Sequence, residues 1–319
     1  MSECVHGFQL SRYLQERICY VGQGEVYEEG SEYLKEFLGV EISAKQIERV
    51  CHCYGRQLES EDHCIEEAAK IEVLGNAVVY GMVDGSMVLT REEKWKEIKL
   101  GRLFTDEFHE SVSEKRFRIS SSVYTAHLGE YSGFLPKWER EIPLNANLVF
   151  LADGAKWFWE WASNQFPNAL QILDYYHCKE YLCEFARSCF KKKKQRDDWV
   201  DEQEQRLFED KVDEVISEIT SLPIKEVEHT PAKKKILTYF KNNRSRMLYG
   251  SYRKKGLLIG SGPIEASHRN IIQKRLKLAG QRWTKTGAQL IANLRSCRKS
   301  QRWNQVVKLT KTTIEKIAA

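Results

Sequence analysis

The sequence predicts an α/β protein in which short buried strands alternate with helices. The 319-residue chain is 42% hydrophobic and 11% aromatic, which is enough apolar side chain to build a sizeable core. Two short apolar runs, residues 148–152 and 169–173, have the composition of strands buried on both faces, and a helical pattern follows each. A strand–helix–strand–helix order predicts parallel strands in one sheet.

The first 73 residues have helical apolar spacing. Gly39 is suited to end one helix and Ser43 to cap the next, so two helices would pack across a short turn. This pattern is typical of a helix-turn-helix, and a helical hairpin with no role on DNA is the alternative. Lys45 and Arg49 would face outward from the second helix, where bases or phosphates are contacted. The side chains expected to pack across the turn are Tyr33, Leu34, Phe37, Ile47, Val50 and Cys51.

Residues 78–105 change from helical to strand-like spacing, which predicts two or three strands. Asp84 falls at the expected end of the first strand. Asp84 and Gly85 would equally suit the tight turn of a hairpin, because Asp-Gly is a favoured two-residue loop. The sequence alone leaves both interpretations open.

Acidic residues follow the two predicted parallel strands. Asp153 comes directly after the first strand and Asp174 directly after the second. Ligands collect at the carboxyl edge of parallel strands, so this placement favours a functional role. His177, three residues beyond Asp174, would face the same edge, and a packed or capping histidine is the alternative.

Glu265 opens a strongly basic predicted helix. Pro263 is suited to the first helical turn, and the helix dipole stabilises a carboxylate such as Glu265 there. That position suits a metal ligand as well as it suits an ordinary helix start. The preceding residues 180–255 look helical throughout, so we predict a helical insertion ahead of this acid.

Charge is distributed unevenly along the chain. The net charge is only +5, but residues 225–319 hold 23 Lys and Arg against 4 Asp and Glu. The remainder of the chain holds 27 against 41. Such asymmetry favours a polyanionic partner whose phosphates the basic half neutralises, with a solvated charged face as the alternative.

The cysteine content indicates a reduced compartment. There are nine cysteines, an odd number without framework spacing, and no secretory signal precedes them, so we expect an intracellular protein. No apolar run approaches the length of a membrane span. The spacing of Cys51, Cys53, His63 and Cys64 does not favour a zinc site.

Four blocks of the sequence resemble bacterial insertion-sequence DDE transposases: VDGSM, LADGAKWFWEW, ILDYYHCKEYL and GSGPIEASHRNIIQKRLKLAGQRWTKTGAQLIANLR. The resemblance covers residues 78–298, and the four blocks occur in order with an insertion before the glutamate. It implies an RNase H-like mixed sheet with flanking helices, an N-terminal helix-turn-helix and an all-helical insertion before the last catalytic acid. The expected regions are 1–73 (DNA-binding), 74–179 (first part of the catalytic core), 180–255 (insertion) and 256–319 (last part of the core with basic helices).

The resemblance further implies that Asp84, Asp153 and Glu265 are the catalytic acids and the metal ligands. Asp174 and His177 would support them. Two Mg²⁺ ions, with Mn²⁺ as a substitute, suit a site of carboxylate oxygens without a thiolate cluster. The reaction implied is Mg²⁺-dependent cutting and joining of DNA strands by hydrolysis and transesterification.

Double-stranded DNA, at element ends and at the target, is the partner that the resemblance implies. A homo-oligomer would assemble on it in the bacterial cytoplasm, close to the nucleoid, without contact with a membrane. The chain begins almost at the helix-turn-helix, where relatives often carry more residues, so we expect full recognition of element ends to be missing. The residues predicted to bind DNA are Lys45, Arg49, Arg269, Lys274, Arg275, Lys277, Arg282, Trp283 and Lys285.

Tryptophans have a second interpretation. Trp283 would either stack on an unpaired base or fill a gap in the core, and the core is favoured. Trp157, Trp159 and Trp161 are also expected in the core, although alternate positions on one helix cannot all face inward.

Two other classes of protein share part of these features. A DNA-binding protein that has lost catalysis would keep the fold, but the intact acids argue against it. An RNase H-like nuclease of RNA–DNA hybrids would need neither the N-terminal helices nor the basic C-terminal half.

Overall fold

The fold is a mixed α/β structure built on a five-stranded sheet. The computed structural model describes residues 8–61, 71, 73, 75–106, 109–113, 116–143, 146–222 and 230–311. His63 and Cys64 of the disfavoured zinc site lie outside these ranges, as does most of a connecting helix predicted between residues 59 and 73. Among the described helices, none combines the length and apolar character needed to cross a bilayer.

Three helices form the N-terminal region: α1 (Arg12–Gly22), α2 (Tyr27–Leu38) and α3 (Ala44–Glu61). Gly39 ends α2 with a left-handed φ of 66°, which glycine adopts without strain. The Ser43 hydroxyl accepts a 3.2 Å hydrogen bond from the Gln46 backbone N–H at the start of α3. Both predicted helix boundaries are confirmed.

The packing across this turn agrees only in part with the prediction. Leu34 and its predicted partners on α3 are buried, but Tyr33 and Phe37 are 42% and 77% exposed. The buried stripe of α2 contains Gly30 and Leu34, one helical turn apart. Tyr33 and Phe37 form the neighbouring stripe and pack against each other with ring centroids 6.1 Å apart. The prediction that these two rings face α3 is therefore wrong.

The main sheet has the strand order β5-β2-β1-β6-β7. Strands β2 and β5 pair antiparallel, with Leu100 opposite Ala126. Strands β6 and β7 pair parallel, with Leu151 opposite Ile172, which confirms the parallel pair predicted from the two apolar runs. A separate two-stranded sheet joins β3 and β4. The bounds are β1 Val78–Thr90, β2 Lys94–Thr105, β3 His109–Ser113, β4 Arg116–Ile119, β5 Val123–Leu128, β6 Asn147–Ala152 and β7 Leu170–Leu173.

Helices account for the regular structure of the described residues between β7 and residue 311. The described residues from 180 to 255 contain helices and no strand, as predicted for the insertion. A π-helical segment, His268–Gln273, follows directly on the helix that ends at Ser267, and Arg244–Arg246 forms one 3₁₀ turn. The α-helices are α4 Tyr131–Glu139, α5 Lys156–Gln165, α6 Tyr175–Cys189, α7 Lys193–Phe208, α8 Val212–Ser221, α9 Thr230–Asn243, α10 Tyr249–Lys254, α11 Gly262–Ser267, α12 Lys274–Leu276, α13 Lys285–Lys299 and α14 Trp303–Leu309.

The chain divides into two compact units. In unit 1, α13 packs against α3 and β5 and buries Ala288, Ile291 and Leu294. In unit 2, α6 packs against α7 and α9, and Phe158 and Trp161 cover Phe150 of β6. Unit 1 comprises Met1–Val79, Val83–Ala146 and Ile264–Ala319, and unit 2 comprises Tyr80–Met82 and Asn147–Pro263.

Candidate functional site

Asp84 lies in the interior of β1. The strand continues from Val78 to Thr90, so the prediction of a strand end at Asp84 is wrong, and so is the alternative of a hairpin turn. The side chain is 38% exposed. Its Oδ1 accepts a 2.7 Å hydrogen bond from the Gly85 backbone N–H. The carboxylate is therefore partly accessible on a regular strand of unit 1.

Glu265 is exposed and lies in the first turn of α11, as predicted. One turn later, His268 is only 3% exposed. The His268 Nε2 lies 3.0 Å from the Asp84 carbonyl oxygen and 3.7 Å from its Oδ2. Within unit 1, His268 thus connects the strand of one predicted catalytic acid to the helical segment that begins with another.

The protonation of His268 follows from its burial. Burial lowers the pKa of the imidazole, while the negative charge of Asp84 opposes that shift. A neutral ring that donates from Nε2 to the Asp84 carbonyl fits this environment. His268 is not among the site residues predicted from the sequence, although its i, i+3 spacing from Glu265 places both on one helical face.

A further acid approaches β1 from β2. The carboxylate of Glu97 lies against Gly85, so closely that a Cβ at Gly85 would collide with Glu97 Oε1. Glu97 is 48% exposed and forms an ion pair with Lys99 at 2.6 Å. Glu97 could not be predicted as a site residue from the sequence, because strand register is needed to bring it beside Gly85.

In unit 2, two acids leave neighbouring parallel strands at the same edge. Ala152 at the end of β6 pairs with Leu173 at the end of β7, so Asp153 and Asp174 follow paired residues. The Asp174 backbone N–H donates to the Ala152 carbonyl at 2.9 Å. Asp153 is exposed, and its Oδ1 accepts from the Ala155 backbone N–H at 3.1 Å. The predicted shared edge is confirmed for this pair.

Asp174 is fully buried, and three donors surround its carboxylate. Oδ1 accepts from the Tyr176 backbone N–H at 2.8 Å, which caps α6. Oδ2 accepts from His177 Nδ1 at 2.8 Å and from the Ser261 hydroxyl. This hydrogen bond raises the pKa of His177 to about 9, so the imidazole is a cation at neutral pH. The short spacing of Asp174 and His177 predicted their proximity, whereas Ser261 is distant in the chain and was not predicted beside them.

The three predicted metal ligands offer carboxylate oxygens, the donor type that Mg²⁺ prefers. Asp153 and Glu265 are exposed to solvent, and Asp84 is half-buried. In the described part of the chain, no three His, Cys, Asp or Glu side chains gather closely enough to hold an ion. The donor chemistry of the individual residues fits magnesium.

A basic pocket of about 510 Å³ in unit 1 brings together residues from distant parts of the chain. Lys45 at the start of α3 lines it with Arg91, which follows β1, and with Arg282. Lys45 is exposed and pairs with Glu48 at 2.5 Å. The pocket therefore combines one predicted DNA contact from the N-terminal helices with one from the basic C-terminal segment.

Arg275 and Trp283 form the inner wall of this basic pocket. Arg275 is 1% exposed, and its guanidinium lies 4.8 Å from the Tyr27 ring centroid and 4.7 Å from that of Trp283. It also donates to the Gly22 carbonyl at 3.3 Å. This burial counts against a phosphate contact for Arg275, and Trp283, 8% exposed, fills the core as favoured.

The other predicted DNA contacts differ in their accessibility. Lys285 forms an ion pair with Glu93, which occupies its ammonium group. The remaining cations are exposed to solvent and open to phosphates: Arg49, Arg269, Lys274, Lys277 and Arg282.

The aromatic helix α5 is mainly a core element, as predicted. Trp159 and Trp161 are 4% and 8% exposed, while Trp157 is half-buried.

A scan against protein-family models and a search of curated proteins both found no match to the chain.

Proposed function

We propose that the chain is a DDE-type DNA transposase with an RNase H-like core and an N-terminal helix-turn-helix. The observation that carries the proposal is the edge formed by β6 and β7, where Asp153 and Asp174 follow paired residues of parallel strands. Ligands of open α/β sheets bind at such edges. The resemblance of the sequence blocks supplies the reaction class, and the geometry of the two units supports it.

The proposed chemistry is an exchange of phosphodiester bonds. Water attacks the phosphorus of the strand to be cut, a new P–O bond forms, and the P–O3′ bond breaks to leave a 3′-hydroxyl. In joining, that hydroxyl attacks a phosphorus of the target strand in the same way. One bond forms for each bond that breaks, so joining requires no external energy source.

Asp84, Asp153 and Glu265 would hold Mg²⁺ through their carboxylate oxygens. Two such ions supply the positive charge that stabilises the attacking and leaving oxygens of an in-line displacement. His268 positions Asp84 by its 3.0 Å contact with the backbone carbonyl of that residue. The His177 cation, held by Asp174, adds positive charge at the edge where Asp153 lies.

DNA binding is supported by the exposed cations of unit 1. Lys45 and Arg282 line one pocket, so phosphates could contact α3 and the basic C-terminal segment together. Each phosphate contact on duplex DNA contributes a slope of about 0.9 to the dependence of log affinity on log salt. Lys45→Gln and Arg282→Gln should each reduce that slope by about this amount. A slope unchanged in both variants would place duplex binding elsewhere.

The test of activity is cleavage and joining of a plasmid that carries the coding sequence with its flanking DNA. With Mg²⁺, the wild-type chain should produce nicked and joined products, and EDTA should prevent them. Asp84→Ala should form none, while Glu130→Ala, which changes an exposed acid of the same unit, should behave as wild type. Equal products from the wild type and Asp84→Ala would discard the metal–acid mechanism.

The same assay separates the rival classes. An RNA–DNA hybrid cut faster than duplex DNA would indicate an RNase H-like nuclease. Salt-dependent DNA binding without any cleavage would indicate a DNA-binding protein that has lost its chemistry.

A further inference from the structure

Unit 2 contains a large pocket that is not lined by the proposed catalytic residues. Its volume is about 910 Å³, within the range of sites for small ligands. Helices α5, α6 and α9 form its walls, and Gly154, the residue after Asp153, lies at its margin. The pocket thus begins one residue beyond a proposed metal ligand.

The charge of the pocket favours an anion. Among the described residues, four cationic side chains and one carboxylate, Glu160, line it. Lys156 pairs with Glu160 at 3.2 Å, and Lys235 pairs with Glu184 at 2.9 Å, whereas Lys234 is exposed. The cations are Lys156, Lys234, Lys235 and Arg246.

Aromatic rings form the second part of the lining. Tyr181 and Tyr239 stack nearly parallel, with centroids 4.0 Å apart and an interplanar angle of 12°. Arg246 lies 4.7 Å from the Trp159 ring centroid and is held there by a 2.7 Å bond to Gln171. Both tyrosines are half-buried, and the exposed Lys235 ammonium lies over the Tyr181 ring, 4.9 Å from its centroid. A further planar ring would extend the stack by taking the place of this flexible side chain.

Gly154 fixes this stack beside the strand end. A Cβ at Gly154 would collide with the Tyr239 ring, so the backbone after Asp153 and the aromatic stack are in direct contact. Burial raises the pKa of the Tyr239 phenol, which therefore remains a neutral donor at the pocket wall. The hydroxyl has no hydrogen-bond partner among the described residues.

We propose that this pocket binds unpaired nucleotides of single-stranded DNA, with a base stacked on Tyr181 and Tyr239 and its phosphates on Lys234 and Lys156. Positive charge beside aromatic rings is the combination that binds single strands without reading sequence. A base inside a duplex has both faces covered by its neighbours, so only an unpaired base can reach these rings. The inference rests on the proposed function for its choice of DNA.

Binding is measured by fluorescence anisotropy with a labelled oligothymidylate of about twelve nucleotides. EDTA is present throughout, so no metal-dependent step contributes. We expect the pocket to bind the single strand more tightly than a duplex. Tyr181→Leu should weaken single-strand binding about 5- to 150-fold. Tyr181→Phe, which keeps the ring, should retain it.

Two further comparisons separate the rings from the charges. Lys234→Gln should lower the salt slope of single-strand binding by about 0.7, while Lys254→Gln, an exposed lysine of unit 2 outside the pocket, should leave it unchanged. An abasic oligonucleotide of equal length keeps the phosphates but lacks the bases. It should bind wild type and Tyr181→Leu equally.

The inference is overturned if Tyr181→Leu and wild type, both folded by circular dichroism, bind oligothymidylate with the same affinity. If Tyr181→Leu lowers the affinity for the abasic strand as much as the affinity for oligothymidylate, base stacking is likewise excluded. Failure of the proposed function gives a different result. An uncut plasmid together with Tyr181-dependent binding would contradict the transposase activity and support single-strand binding in the pocket. A cut plasmid together with Tyr181-independent binding would support the transposase activity and contradict single-strand binding in the pocket.

Discussion

Each unit contains an aspartate next to a histidine, and the two pairs are built in opposite ways. In unit 2, the His177 ring bonds to the carboxylate of Asp174, which is completely buried. In unit 1, the His268 ring bonds to the backbone carbonyl of Asp84, and the carboxylate stays 38% exposed. In the first pair the imidazole bonds to a buried carboxylate, while in the second it bonds to the backbone of the strand and the carboxylate remains partly exposed.

The protonation states of the two histidines differ accordingly. The bond to Asp174 raises the pKa of His177, whereas burial lowers the pKa of His268. Proximity of an aspartate and a histidine in the sequence or in space therefore does not define a role. What decides it is which atom of the aspartate the imidazole contacts.

The largest effect on stability is expected for Asp174→Ala. The change leaves the Tyr176 N–H, the His177 cation and the Ser261 hydroxyl without their acceptor in a buried site. Breaking a buried pair typically costs about 3–5 kcal/mol of unfolding free energy, measurable by urea denaturation in EDTA. Asp153→Ala, which removes an exposed carboxylate at the same edge, should change the midpoint little. Similar losses of unfolding free energy in both variants would contradict the assignment of a structural role to Asp174 alone.

His268→Ala is expected to have the next largest effect. It removes a ring that is 3% exposed and leaves the Asp84 carbonyl without its donor, at a cost of about 2 kcal/mol. His52→Ala is the control, because His52 is half-buried in the same unit and its Nε2 has no hydrogen-bond partner among the described residues. A urea midpoint lowered no more by His268→Ala than by His52→Ala would contradict the positioning role.

His177 should give stability a measurable pH dependence. The folded-state pKa of about 9 lies above the unfolded value of about 6.5, so the contribution is complete below pH 6.5 and is lost as the pH rises through 9. Because the side chain is 40% exposed, solvent screening reduces the effect to about 1 kcal/mol. Urea midpoints of His177→Gln should lack this decline, and parallel curves for variant and wild type would disprove the assignment.

Glu265→Gln should change stability least while removing cleavage. The loss of a first-turn carboxylate from α11 costs about 0.3 kcal/mol of helix-dipole interaction. The plasmid assay should nevertheless yield no product, because the proposed metal ligand is gone. A variant that is folded and fully active would remove Glu265 from the proposed site.

The sequence predicted the elements whose patterns are local. Gly39 and Ser43 gave the helix boundaries, and the two apolar runs gave β6 and β7 with their parallel pairing. These features depend on the preferences of a few adjacent residues, so no tertiary information was needed.

Features that depend on register or tertiary burial escaped prediction. Asp84 was expected at a strand end, with an Asp-Gly hairpin turn as the alternative, but β1 continues through both residues between its neighbours in the sheet. Arg275 was expected to face DNA because it is basic, yet Tyr27 and Trp283 enclose its guanidinium. Net charge does not distinguish a buried arginine from an exposed one, because the stem and the planar head can both pack against rings.

The π-helical segment His268–Gln273 separates two parts of a single helical stretch. A π turn contains more residues than an α turn, so it changes the phase of every side chain that follows. His268, the first residue of the segment, can therefore contact β1, while Arg275 and Leu276 beyond it pack against a different set of neighbours. A deletion of one residue from this segment would restore α-helical phase. Either the His268 end or the Arg275 end of the stretch would then lose its present contacts.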